Sequence, residues 1–145
     1  MRRLSSLLRE RAGTVTIELA LLAPILAAML IGLIDLSTAY SNKLRLEQVA
    51  QRTIEKVMQN SFKASEAVTL KAEAEAEAGS GSIATVTYWL ECNEVKQTGA
   101  SAYTSACPDG QQYGRYVQVE ISKPYAALIA STSWTLIGKA GIRIQ

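Results

Sequence analysis

The sequence predicts an α+β protein. One long N-terminal helix crosses a membrane, continues outside it, and packs on a small antiparallel β-sheet of about three strands. Three observations lead there. Residues 19–34 are an almost unbroken apolar run, and about 17–25 such residues span a bilayer as a helix. The residues after the run keep a helical period but become amphipathic. Later stretches are β-branched and aromatic with two-residue alternation, the mark of half-buried strands.

The 145 residues allow one ordinary domain plus an anchor. Without the first residues and the apolar run, roughly a hundred remain, the size of a small domain. A net charge of +2 leaves a general nucleic-acid role without an electrostatic footprint. Most of the excess sits in Arg2, Arg3, Arg9 and Arg11. Lys and Arg beside a span mark its cytoplasmic side, so the N-terminus is expected inside and everything after Tyr40 outside. Cys92 and Cys107 then share an oxidising compartment, where one disulfide is the simplest outcome. There is no histidine, and with the cysteines bonded no metal or cofactor is expected. A conventional signal peptide fits poorly, because the run is long and no A-x-A site follows Asp35.

The first helix is expected from Thr14 to about Asn60. In its second half Leu46, Val49, Ala50, Thr53, Ile54 and Val57 share about a third of the circumference, and Arg45, Gln48, Gln51, Arg52, Glu55, Lys56 and Gln59 take most of the rest. A helix apolar all round faces lipid, and one apolar on a stripe packs on a domain. No Gly or Pro intervenes between Leu33 and Asn60. A continuous rod of about 45 residues would be roughly 65–70 Å long. The other reading breaks it near Ser37-Thr38. Pro24 cannot donate to the carbonyl of Ala20 and should loosen the helix there. That is either tolerance, common in membrane helices, or a weak point that lets the segment stretch on assembly.

Glu18 is the unusual charge. A carboxylate inside a span costs about 2.5–3.5 kcal/mol on insertion scales. Snorkelling to the interface relieves much of that near a span's end. The alternative is a cation. A cut between Gly13 and Thr14 would create one, the α-amine of Thr14, at a helix start. Such a pair at about 4 Å is worth about 4 kcal/mol at an effective dielectric of 20. Desolvation lowers the net gain, so the pair would set register more than strength.

Gly13-Thr14-Val15-Thr16-Ile17-Glu18 before an apolar run resembles the class III signal of type IV pilins and pseudopilins. In that family prepilin peptidase cuts after the glycine, and the glutamate is fifth in the mature chain, as Glu18 would be here. The wider string resembles more closely the TadE/TadG-like minor pseudopilins of the tight-adherence (Tad) pilus, the type IVc family. It carries Arg11-Ala12-Gly13, then Ile17-Glu18-Leu19-Ala20-Leu21-Leu22-Ala23-Pro24, then Gly32-Leu33-Ile34-Asp35. The offsets of Gly13, Glu18 and Pro24 are its informative part. Major Tad pilins are similar but shorter, usually with tyrosine where Leu19 stands. The resemblance implies a removed leader over 1–13, an assembly helix over 14–36, its amphipathic continuation over 37–62, and an extracytoplasmic domain over 63–145.

Within that last part, residues 63–78 include Ala72-Glu73-Ala74-Glu75-Ala76-Glu77-Ala78, strong helix formers that argue for a solvated helix or semi-rigid spacer. Gly79-Ser80-Gly81 ends it. Residues 83–90 read as a strand. So do residues 113–122, where Val117, Val119 and Ile121 point one way and Tyr116, Gln118, Glu120 and Ser122 the other. Residues 134–145 form a third, with Leu136, Ala140, Ile142 and Ile144 in one phase and Gly138 and Gly141 marking a bend or bulge. Residues 123–131 are expected as a connector with a short helix. The apolar face of the strands would cover the stripe Leu46, Val49, Ile54 and Val57. Closing the loop between Cys92 and Cys107 is worth about 3 kcal/mol in the chain-entropy model. That loop is either stapled for stability or displayed to a partner. Trp89, Trp134, Tyr88 and Tyr116 read as core or sheet-edge packing.

No catalytic constellation is present: no histidine, no Gly-x-Ser-x-Gly elbow and no phosphate-cradling loop. The chain reads as an enzyme's substrate rather than an enzyme. Two functions follow. The first is a minor pseudopilin that primes, caps or regulates a Tad pilus and so serves adhesion. It would be single-pass in a bacterial inner membrane with its C-terminal domain periplasmic or extracellular. Its partners, implied by the resemblance, are prepilin peptidase, other Tad pilins and minor pseudopilins, the inner-membrane assembly platform and the lipid bilayer. The second is an uncleaved single-pass anchor whose outer domain binds a protein through the Cys92–Cys107 loop.

Overall fold

The computed structural model describes residues 12–60, 62–97, 102–108, 110–128 and 133–144, with side chains from Thr16 onward. Residues 1–11 of the expected leader lie outside them.

Helix α1 runs unbroken over Ala12–Asn60 and carries Pro24 inside it. It does not open at Ser37-Thr38. The Thr38 hydroxyl donates to the Ile34 carbonyl at 2.8 Å, a bond back into the preceding turn that needs the helix intact. The apolar residues from Ile17 to Ile34 are exposed. Burial starts at Asp35 and Ala39 and continues through Leu46, Val49, Ala50, Thr53, Ile54 and Val57. These steps of three and four residues keep one face on the domain. The buried Thr53 hydroxyl is satisfied by the Val49 carbonyl at 2.9 Å.

Four strands form one antiparallel sheet in the order β2-β1-β3-β4: β1 Ile83–Cys92, β2 Val95–Lys96, β3 Tyr113–Ala126 and β4 Ser133–Arg143. The strand beyond the expected three is the two-residue β2. It folds back through Asn93 and Glu94, both at positive φ, the geometry of a tight two-residue hairpin. Val117, Val119 and Ile121 of β3 are fully buried against Leu46, Val49, Ala50, Ile54 and Val57 of α1. At one end of the same core Phe62, Tyr88 and Tyr103 pack with ring centroids 5.2–5.6 Å apart. Trp89 lies on the other face of β1, stacked on Tyr116.

Three local expectations change. Residues 67–78 form helix α2 (Ala67–Ala78), but it is not a spacer. Ala74 and Ala78 are buried in the core, and Glu77 and Glu73 pair with Arg52 and Lys56 of α1 at 2.8 and 3.0 Å. The small alanines let the helix approach α1 and β1, and the alternate glutamates border that contact.

Residues 123–126 are strand rather than connector. Residues of odd number in β3 turn their backbone groups toward β4, since the Arg115 carbonyl accepts from Ile144 N. Pro124 therefore turns its nitrogen to the opposite side, where pairing with β1 ends at Ser122. No ladder bond is lost there, so proline is tolerated.

Gly138 and Gly141 make no bulge, because β3 and β4 pair one to one over their whole length. A Cβ on Gly138 would lie 2.4 Å from the Leu46 carbonyl carbon and 2.6 Å from Glu47 N. Gly138 is the point at which the helix backbone touches the sheet.

Candidate functional site

The surface of α1 changes character at Asp35. From Thr16 to Ile34 the side chains are exposed or, at Gly32, half-exposed, and the stretch is long and apolar enough to cross a membrane. It is the one such helix among the described residues. The 19 residues from Thr16 to Ile34 rise about 28 Å, close to a hydrocarbon core of about 30 Å. Glu18 is exposed near the N-terminal end of that stretch. Pro24 lies six residues on, about 9 Å along the axis. Gly13 and Thr14 lie within the first residues of α1, and their side chains lie outside the description.

At the C-terminal end of that stretch the chain meets its own domain. Asp35 is 9% exposed. Its Oδ1 accepts from the Tyr125 hydroxyl at 2.5 Å and its Oδ2 from the Leu128 amide at 3.1 Å. The same hydroxyl lies 3.0 Å from the Asp35 carbonyl oxygen. An acid at the edge of an apolar span is costly to desolvate; here each carboxylate oxygen has a donor. In return the bond to Asp35 raises the Tyr125 phenol above its ordinary value, with desolvation and the carboxylate's charge adding to it. The sequence places Asp35 at the end of the TadE-like string and Tyr125 in an expected connector, with nothing local to join them. The signal was an acid ending an apolar run together with a lone tyrosine after a proline. Their separation of 90 residues hid the pairing.

The disulfide is a separate feature. Cys92 and Cys107 are joined, with Cα atoms 5.7 Å apart. Cys92 pairs with Tyr113 at the start of β3, whereas Tyr125 is near its end. The twelve-residue step from Tyr113 to Tyr125 puts the disulfide about 40 Å from Asp35 along the sheet. Arg115 Nε donates to the Tyr103 carbonyl at 3.0 Å, tying the loop to β3. The site residues thus form no single cluster: Glu18 and Pro24 share the apolar stretch, and the cysteines occupy the opposite end. The acidic run of α2 is spent on neighbours, with Glu75 also accepting from Ala84 N at 3.0 Å. Among the described residues no group of three or more His, Cys, Asp or Glu side chains is placed to hold a metal.

Residues 13–54 match the family model described as TadE-like protein, the family that the Gly13, Glu18 and Pro24 offsets resemble. The match lies within α1, and the sheet, α2 and the disulfide fall outside it. No curated protein and no solved structure matches the chain.

Proposed function

We propose that this chain is a minor pseudopilin of a Tad-type pilus or secretion machine. It inserts with its N-terminus inside, is cut by prepilin peptidase after Gly13, and packs laterally with other pilins through the exposed apolar stretch of α1. The outer domain then primes, caps or regulates the filament, a structural rather than catalytic task. The observation that carries the reading is the TadE-like match over 13–54, on a helix whose front half is exposed and apolar and whose back half is the spine of a domain.

Glu18 has the central role. After cleavage the α-amine of Thr14 and the Glu18 carboxylate stand four residues apart, a spacing that stacks them on one helix face. A row of such chains presents each carboxylate to a neighbour's amine in apolar surroundings, where mispairing is costly. Pro24, without a donor for the Ala20 carbonyl, leaves the helix able to adjust as chains pack.

The test is the mature N-terminus of chain recovered after co-expression with the cognate prepilin peptidase. A start at Thr14 agrees with the proposal. Persistence of Met1-Arg2-Arg3 in working appendages overturns it, and leaves an uncleaved anchor with a protein-binding outer domain.

A further inference from the structure

The domain meets the apolar stretch of α1 with a particular edge. Strand β3 runs toward Asp35 and β4 returns from it, so the β3–β4 end of the sheet lies where α1 leaves its lipid-length segment. Two positions fix the level. Leu128 N is bonded to Asp35. Gly138 lies against Leu46 and Glu47, and Trp134, four residues earlier on β4, is about 13 Å nearer the span, level with about residue 38 of α1. Trp134 pairs with Tyr125 across the strands.

Among the described residues this end exposes two large apolar side chains, with Ser133 and Thr135 also exposed beside them. Leu128 is 70% exposed and Trp134 50%. Leu36 and Tyr40 on the adjoining turns of α1 are 63% and 62% exposed. They continue the exposed apolar surface of the span without a gap, and Asp35, the acid at that level, is turned inward and paired. Trp and Tyr just beyond the end of a span, with an aliphatic residue beside them, suit the headgroup boundary of a bilayer.

We propose that the β3–β4 end is a membrane seat: Leu128 and Trp134 rest in the phospholipid interface of the leaflet that α1 leaves at Asp35. The Asp35–Tyr125 bond holds the domain down on that surface. The seat fixes the depth and tilt of the single helix in the membrane. It requires the span but not the cut after Gly13, so it stands apart from the pseudopilin reading.

The chain's two tryptophans provide the test. Trp89 pairs with Tyr116 and Trp134 with Tyr125, which sets them about 30 Å apart along the strands. The full chain is placed in phosphatidylcholine–phosphatidylglycerol nanodiscs with acyl chains brominated near the headgroup. In Trp89→Tyr, where only Trp134 emits, fluorescence should fall about twofold or more relative to unbrominated lipid. In Trp134→Tyr, where only Trp89 emits, it should not change. The unsubstituted chain carrying 5-fluorotryptophan is a control for folding: one of its two resonances should broaden with headgroup-level nitroxide lipid. Equal responses from the two tryptophans, or iodide quenching of Trp134 from water with no effect of brominated lipid, overturn the proposal.

Discussion

The Tyr125 hydroxyl donates to Asp35 Oδ1 at 2.5 Å, joining the end of β3 to the helical turn at which the apolar stretch stops. Below that turn α1 is exposed and above it α1 is the spine of the domain. The bond thus sits where an exposed apolar surface becomes a protein-facing one.

Replacing Asp35 with alanine should leave the Tyr125 hydroxyl and the Leu128 amide without their acceptor. The expected cost is about 1–3 kcal/mol. Denaturant unfolding of the full chain in detergent measures it, and hydrogen exchange should show faster exchange at Leu128. Unchanged exchange there would mean that the bond does not hold the hairpin.

The same pair predicts a pH dependence. Asp35 raises the Tyr125 phenol above its ordinary value of about 10. A group raised in the folded state adds stability below its unfolded value and loses it as pH rises through the folded one. The latch should therefore be fully made at neutral pH and open in strong alkali. Phenolate absorbance should show a late-titrating tyrosine that disappears in Tyr125→Phe. Tyr103, raised by burial against the lowering effect of Arg115, should stay late in that variant.

Gly138→Ala should separate helix from sheet. Its Cβ would meet helix backbone at 2.4 Å, and no side-chain rotation relieves that. Overpacking of this kind costs about 1–3 kcal/mol or more. Gly141→Ala is the matched control, because its nearest neighbour would be at 3.4 Å. Thermal unfolding should show a clear drop in Tm for the first and a small change for the second.

Reducing the Cys92–Cys107 disulfide, or replacing both cysteines with serine, should cost about 3 kcal/mol for a closed loop of this size. The loss should appear as a lower denaturation midpoint under reducing conditions. The core of Val117, Val119 and Ile121 on α1 should survive, with the loss confined to its Tyr103 end, where the loop packs on Phe62 and Tyr88.

Processing and assembly should separate genetically. Gly13→Leu should block the cut, so the precursor accumulates. Glu18→Ala should be cut normally yet enter filaments poorly. Immunoblots and pilus counts read the two, and normal filament number in Glu18→Ala would remove the pairing role.

The sequence by itself determined what depends on local period. An apolar run long enough to cross a membrane dictates a helix, and the three-and-four stripe after it and the alternation Val117, Val119, Ile121 each dictate an element and its inward face. Helix propensity likewise points to a helix within residues 63–78, of which Ala67–Ala78 form α2. What it left open depends on which faces meet. The buried role of Ala74 and Ala78, the close approach at Gly138, the strand through Pro124 and the bond from Asp35 to Tyr125 are all contacts between elements distant in sequence. Periodicity fixes direction within an element, whereas only the docking of α1 on β3 and β4 brings an acid and a phenol ninety residues apart within hydrogen-bond reach.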